Sequence, residues 1–377
     1  MNQLPTKTAD PEEVLRIREL TVTFHTYAGD VKALDGVELS LHKREILGVV
    51  GESGCGKSVT ALTITGLLPP NAEIVCGEAL LNDVNLLKMK SSEMRLARLK
   101  DIAIVFQDPM TYMNPVMTIG SQITEILIEN PEVFREVVVT SRLQEIDQLE
   151  KSGLISHKLQ QERSHLKQVL SHGNLSKSKF RRLGQLYVLS YLRMVRLPEP
   201  ERVLKMYPFE LSGGMRQRAV IAMALIRKPK LLLADEITTA LDVTVQAQIL
   251  QLLMQLREQI DSSVVLITHD LAVVAEVCDR VAVMYAGNVV EVAEVNELFQ
   301  NPLHPYTQGL LASIPRPDSA AVELKSIEGS VPDLISPPSG CRFHPRCRRA
   351  MDRCSASKPR PFETQPGHLV SCFLYGE

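Results

Sequence analysis

The sequence lacks any apolar run of the roughly 18 residues that a membrane-spanning helix needs. Its first residues, MNQLPTKTADPEE, carry no apolar core of a signal peptide. Together these absences predict a chain that stays in the cytoplasm. A basic excess is also missing: 42 Lys and Arg face 44 Asp and Glu, for a net charge of -2, so nucleic acid is not expected as the main partner. No internal repeat occurs. Cysteine is sparse, with three scattered residues (Cys55, Cys76, Cys278) and four near the end (Cys341, Cys347, Cys354, Cys372). In a reducing compartment the clustering of the last four favours a metal over disulfides.

What is present is enough for a large core. A chain of 377 residues that is 45% apolar exceeds the usual single domain, and predicts one globular unit of about 250 to 300 residues with extensions. Short β-type runs, LRIRELTVTF, GVELSLH and EILGVV, alternate with turn-forming segments between residues 14 and 50. From about residue 59 the segment VTALTITGLL has helical spacing and is expected to stop at Pro69-Pro70. Strand signals return at 102–106, 231–235, 263–269 and 280–287. Between 107 and 211 the periodicity turns helical, which reads as a helical insertion in an α/β domain. Residues 151–182 hold eight Lys or Arg against the single acid Glu162. After residue 313 the chain becomes Pro-rich, marking a linker into a small cysteine-bearing tail.

The segment Gly51-Glu52-Ser53-Gly54-Cys55-Gly56-Lys57-Ser58, followed by Val59, fits the phosphate loop GxxxxGK[ST] between a strand and a helix. Backbone N–H groups of such a turn cradle phosphates, Lys57 reaches the β- and γ-phosphates, and Ser58 ligates Mg²⁺. A chance glycine-rich turn is the bland alternative, and the flanking strand and helix speak against it. LLLADE ends a buried apolar strand with Asp235 and Glu236, where carboxylates are costly unless they serve a cation or a reaction. Asp235 suits the Mg²⁺ shell and Glu236 the polarising of an attacking water. A second phosphate-seeking element is LSGGMRQR, with Ser212, Gly213 and Gly214 opening a helix. Two such elements 160 residues apart are hard to explain in one domain, and easy if each completes a site across a dimer.

With these motifs in order, the chain resembles the ATP-binding-cassette ATPases over about residues 14–312. FQDPM supplies Gln107 at that family's Q-loop, TTALD supplies Asp242 at its D-loop, and ITHD supplies His269 at its switch. The resemblance implies an α/β P-loop cassette with a mixed sheet core and a helical subdomain at about 108–225. It also implies two ATP molecules sandwiched between two cassettes, with Ser212, Gly213 and Gly214 facing the γ-phosphate held by the partner. His269 would contact the γ-phosphate and position Glu236; Gln107 would touch Mg²⁺ and water and relay movement to a transmembrane partner. An aromatic stacks on adenine in this family, and Phe24 fits that place best, with Tyr27 the alternative. Two positions depart from the pattern: Ile237 replaces a usual Pro, and Arg44 replaces a usual Gly before Glu45.

VVGESGCGKS, VFQDPMTYMNPVMTIGSQI, YPFELSGGMRQR and NPLHPYTQGLLASIP resemble the dipeptide, oligopeptide and nickel importer branch. That likeness implies an ATPase subunit of an importer, paired with a second cassette (a heterodimer is expected), two transmembrane permease subunits and an extracytoplasmic substrate-binding protein, at the cytoplasmic face of the membrane. Peptides are the first cargo expected, with oligosaccharides or nickel open. The tail spacing Cys-x5-Cys-x6-Cys-x17-Cys over 313–377 supplies four thiolates for either Zn²⁺ or an iron–sulfur group, and the resemblance implies a 4Fe-4S cluster. The insertion at about 130–195 departs from the branch, being roughly forty residues longer than compact connections lead one to expect. Its basic stretch reads as a solvated helical face, with acidic lipid headgroups or a partner subunit as the sharper alternative.

Overall fold

In the computed structural model the described residues are 12–129, 131–152, 154, 156–172, 177–237, 242–259, 261–313 and 327–376. They form two compact units: Met1–Met94 with Leu233–Glu236 and Arg257–Glu377, and Arg95–Leu232 with Ile237–Leu256. The Pro-rich linker after residue 313 lies largely outside the described residues. The strands, in chain order, are β1 (Glu13–Thr26), β2 (Gly29–His42), β3 (Ile46–Val50), β4 (Ala72–Leu81), β5 (Val84–Asn85), β6 (Ile102–Val105), β7 (Leu231–Asp235), β8 (Ser263–Ile267), β9 (Arg280–Tyr285), β10 (Asn288–Glu294), β11 (Phe362–Gln365) and β12 (His368–Val370).

In the first unit β2, β1, β4 and β5 form an antiparallel sheet in that order. Period-2 burial along β1 runs through Leu15 and Ile17, then changes phase to Leu20 and Val22. The register shifts at that same point and Glu19 takes φ 46°, so a bulge re-aims the second half of the strand at the core. The other sheet is mixed. Its middle strands β3, β8 and β9 are parallel, and β3, β7 and β8 are buried along their whole length, as strands covered on both faces are. β10 turns back on β9 through Ala286 and Gly287, at φ 45° and 82°, a pairing of left-handed residues that matches strand twist. β12 and β11 then extend the sheet from β10.

The helix after β3 spans Lys57–Thr65, four residues short of the expected stop at Pro69-Pro70. Gly66 ends it by entering the left-handed region at φ 62° and donating its N–H back to Leu62 and Thr63 carbonyls, a cap that glycine makes without a Cβ penalty.

The second unit is helical apart from β6 and the start of β7, where Leu231 N–H donates to Asp101 O at 2.9 Å. Ile119, Ile123 and Leu127 form a fully buried stripe on helix Ile119–Ile128, and the Phe134 ring stacks on Phe180 at 3.7 Å. Helices Thr140–Lys151, His157–His172 and Lys177–Met194 occupy the region read as an insertion. Arg142 pairs with Glu162 at 2.9 Å, and Arg163 with Asp147 at 2.8 Å, so part of its charge joins helices to one another. Among the described residues no helix is long and apolar enough to cross a membrane.

Candidate nucleotide site

The phosphate loop is delivered by β3 into a turn that side chains do not fit. Gly51 and Gly56 adopt φ 153° and 104°. A Cβ on Gly51 would lie 2.1 Å from Met284 O, and one on Gly56 2.9 Å from Ala33 O, so backbone packing requires glycine at both. Helix Lys57–Thr65 begins on Gly56 with no side-chain cap, which leaves first-turn N–H groups free for an anion. The Lys57 ammonium folds back on the loop, donating to Gly51 O at 2.8 Å and Glu52 O at 3.1 Å. Ser53, Gly54 and Ser58 are exposed along the open side, Val59 is half-buried, and Cys55 is buried beneath the loop.

Beside the loop, Asp235 ends β7 at 8% exposure, and its Oδ1 has no hydrogen-bond partner. Burial raises its carboxyl above the usual carboxylate range, while the Ser58 hydroxyl and the Lys57 charge pull it back. A buried oxygen with an unused lone pair next to a hydroxyl fits a cation in this corner. Glu236 follows at φ 50°, a left-handed conformation that costs a residue with a Cβ about 1–2 kcal/mol. Its N–H donates to Ile267 O at 2.9 Å, and that bond to the end of β8 fixes the turn. The Glu236 Oε1 then lies 3.5 Å from His269 Nδ1, so these two are brought together as their positions at strand ends imply.

The other sequence-derived residues lie elsewhere. Phe24 is half-buried in β1, whereas Tyr27 projects fully into solvent. In the second unit, Gln107 is exposed just after β6. Ser212 caps helix Gly213–Leu225, its hydroxyl accepting from Met215 N at 3.3 Å. A Cβ on Gly214 would meet Val245 at 2.7 Å, so helix Val243–Gln259 packs too closely there for any side chain. Asp242 caps that helix, accepting from Val245 N at 2.9 Å; the rest of the TTALD motif lies outside the described residues.

Two residues that touch the loop were not singled out in the sequence. Tyr306 accepts the Glu52 N–H at 3.0 Å through its hydroxyl, and Arg346 forms a two-pronged ion pair with the Glu52 carboxylate at 2.7 and 3.1 Å. Arg346 comes from the tail, where Cys341, Cys347, Cys354 and Cys372 line one small cavity. Burial pushes the Cys341 thiol up to about 11, and the neighbouring sulfurs add to the shift. Cys347 and Cys372 are raised by burial in the same way. Among the described residues no three His, Cys, Asp or Glu stand close enough to hold a single metal ion.

A family profile described as ABC transporter matches residues 34–239. This chain belongs to the ABC transporter family. A second profile, the C-terminal region of oligopeptide/dipeptide transporters, matches residues 290–354. The cassette is 44% identical to the dipeptide transport ATP-binding protein of Bacillus subtilis (strain 168), over 96% of this chain and 95% of that protein. It is 40% identical to the oligopeptide transport ATP-binding protein of Escherichia coli (strain K12), over 98% and 96%. Among solved structures it is similar to the dimeric cassette MJ0796 in a post-hydrolysis state bound to ADP and Pi, with TM-score 0.55 and 25% identity over 74% of this chain and 98% of that one. The protein is thus an ATP-hydrolysing cassette of the dipeptide and oligopeptide branch.

Proposed function

We propose that this cassette powers the import of dipeptides or oligopeptides, working at the cytoplasmic face of the membrane with a second, similar but distinct cassette. Two transmembrane permease subunits and an extracytoplasmic substrate-binding protein complete the assembly. The relatives named for dipeptide and oligopeptide transport support the cargo. The observation that carries the site reading is the partnerless Asp235 Oδ1 beside Ser58, with Glu236 and His269 next to it.

In this reading the phosphates of ATP accept from loop and first-turn N–H groups between Ser53 and Val59, and Lys57 turns from the carbonyls of Gly51 and Glu52 to the β- and γ-phosphates. Ser58 and Asp235 would hold Mg²⁺, which would neutralise phosphate charge, with Gln107 the further ligand that the family resemblance implies. Glu236 orients the attacking water and draws on its proton, while His269 contacts the γ-phosphate and steadies Glu236. Ser212, Gly213 and Gly214 present their helix start to the ATP held by the other cassette, Asp242 lies at that same interface, and Phe24 stacks on adenine, with Tyr27 the alternative. The cassette comprises residues 14–312, with its helical subdomain at about 108–225 and its insertion at about 130–195. The basic stretch of that insertion is a solvated face. Residues 313–377 form the tail, whose four cysteines hold a 4Fe-4S cluster; a cluster supplies the positive charge that buried thiolates require.

The test is ATP turnover by the assembled transporter. Glu236→Gln is expected to slow it by about 10²–10⁴ while leaving nucleotide affinity intact. Turnover that survives this change would assign the water-activating role to another residue.

A further inference from the structure

The ion pair between the tail and the phosphate loop has no part in the chemistry above. Arg346 is nearly enclosed, its side chain 6% exposed. All five of its N–H donors are used. Nε donates to Glu328 O at 2.9 Å and Nη2 to Ile327 O at 3.2 Å. Nη1 reaches Tyr285 OH at 3.3 Å, and the two terminal nitrogens share the Glu52 carboxylate. A guanidinium saturated in this way has one orientation, so wherever the backbone of Arg346 goes, Glu52 is pulled with it.

Glu52 is the second residue of the phosphate loop. Its N–H is held by Tyr306 and its carbonyl by the Lys57 ammonium. Lys57 also holds Gly51 O, the carbonyl of the peptide whose N–H Tyr306 accepts, so one of the two peptides that Lys57 must release when it turns to phosphate is fixed at its other end by Tyr306, and its Glu52 side chain by Arg346. At its other end, Arg346 closes a tight turn between two thiols. His344 N–H donates to Cys341 O at 2.9 Å, Arg346 N–H to Phe343 O at 3.0 Å, and Cys347 N–H to His344 O at 3.2 Å. Cys341 and Cys347 line the same tail cavity.

We propose that Arg346 is a positioning residue for the phosphate loop, and that through it the four-thiol tail sets the affinity of this chain for nucleotide. The proposal rests on the nucleotide reading of the loop. A change in the tail that shifts Cys341 or Cys347, by filling or emptying the thiol site, displaces the Arg346 turn and alters the loop through Glu52. The pair acts on binding and not on the water-activating residues, so its signature is a change in Kd and KM with kcat preserved.

The experiment measures binding of Mg²⁺ with ADP, and with a slowly hydrolysed ATP analogue, to the full chain by calorimetry, alongside ATP turnover of the assembled transporter. Arg346→Ala and Glu52→Gln are each expected to raise Kd and KM about tenfold, the scale of a coupling between sites, with kcat changed by about twofold or less. The double variant is expected to bind no worse than either single one, because both changes remove the same interaction. Arg346→Lys falls between, since one ammonium does not grip both oxygens. Cys347→Ser raises Kd in the natural chain and adds nothing in Arg346→Ala. An unchanged Kd in a folded Arg346→Ala chain overturns the proposal, as do additive effects of Arg346 and Glu52 changes. If Arg346→Ala does not fold, Arg346→Lys and Glu52→Gln decide by the same criteria. Lys57→Ala separates the two readings: undiminished binding there defeats the nucleotide site itself, whereas binding lost in Lys57→Ala but kept in Arg346→Ala defeats only the coupling.

Discussion

Replacing Asp235 by Asn is expected to stabilise the protein without nucleotide and to weaken it with nucleotide, relative to the natural chain. Asp235 is a carboxylate at 8% exposure whose Oδ1 has no partner. An unsatisfied buried polar atom costs ~1–3 kcal/mol, and more when it is charged. The Ser58 hydroxyl and the Lys57 ammonium recover part of that. Asn keeps the shape and the Ser58 contact but removes the charge, so the nucleotide-free chain should gain about 1–2 kcal/mol at pH 7. The pH dependence has a definite sign. The folded-state value of Asp235 is raised, so its contribution is most favourable below the unfolded value of ~3.9 and is lost as pH rises through the folded value. The advantage of the Asn variant therefore grows from acid towards neutral pH. Nucleotide reverses the order: a ligand at 100 times its Kd adds ~2.7 kcal/mol to the chain that binds it, and the variant, lacking the carboxylate for Mg²⁺, gains much less. Denaturant midpoints followed by circular dichroism, at several pH values with and without Mg²⁺ and ADP, measure all of this. An Asn variant that unfolds more easily than the natural chain at pH 7 without nucleotide would refute the view that Asp235 is a carboxylate kept for a cation.

Gly56→Ala forces a Cβ to within 2.6 Å of Leu34 Cδ2 and 2.9 Å of Ala33 O at φ 104°, and nucleotide binding measured by calorimetry should be lost even where the chain still folds. Arg44, at φ 59°, stands in the left-handed region that glycine enters without a Cβ penalty. Arg44→Gly should be more stable than Arg44→Ala by about 1 kcal/mol, the reverse of the usual order, in thermal melts; both lose only the exposed pair with Asp261 at 2.6 Å, which Lys43 still contacts at 3.2 Å. On the proposed 4Fe-4S reading, protein purified without oxygen should carry iron and sulfide by elemental analysis and Cys354→Ser should lose both, while iron retained in full would remove Cys354 from the ligand set.

The residues of the proposed phosphate site could be picked out because each sits where a local pattern breaks. An apolar strand meets a glycine turn at Gly51, and another meets two acids at Asp235 and Glu236. The apolar strands β3, β7, β8 and β9 were legible for the same reason. β4 was not, since residues 73–76 are exposed and no alternation marks them. β11 is exposed along its whole length, and β10 went unread beyond the strand signal at 280–287, because its nearly continuous burial carries no alternation. The helix end at Gly66 was misplaced because two prolines further on gave a louder signal than one glycine. The hold of Tyr306 and Arg346 on Glu52 spans 254 and 294 residues of chain, and no periodicity or spacing encodes a contact at that distance.

Several local rules are broken in this cassette, and their placement separates function from tolerance. Arg44 breaks the backbone rule on an exposed turn, where its side chain reaches Asp261 at the surface. The other three violations cluster around the phosphate loop. The helix start at Gly56 has no side-chain cap, the Asp235 oxygen has no partner, and Glu236 is held left-handed by a bond to the next strand. Each destabilises the nucleotide-free fold, and the first two are relieved by opposite charges, an anion at the helix start and a cation at the carboxylate. A phosphate chain carrying Mg²⁺ is one ligand that brings both charges to the same place, with the third violation aiming a carboxylate at its outer edge. Convergence of unlike defects on one ligand is a stronger argument for this site than any one motif, because a chance glycine turn accounts for none of the other two.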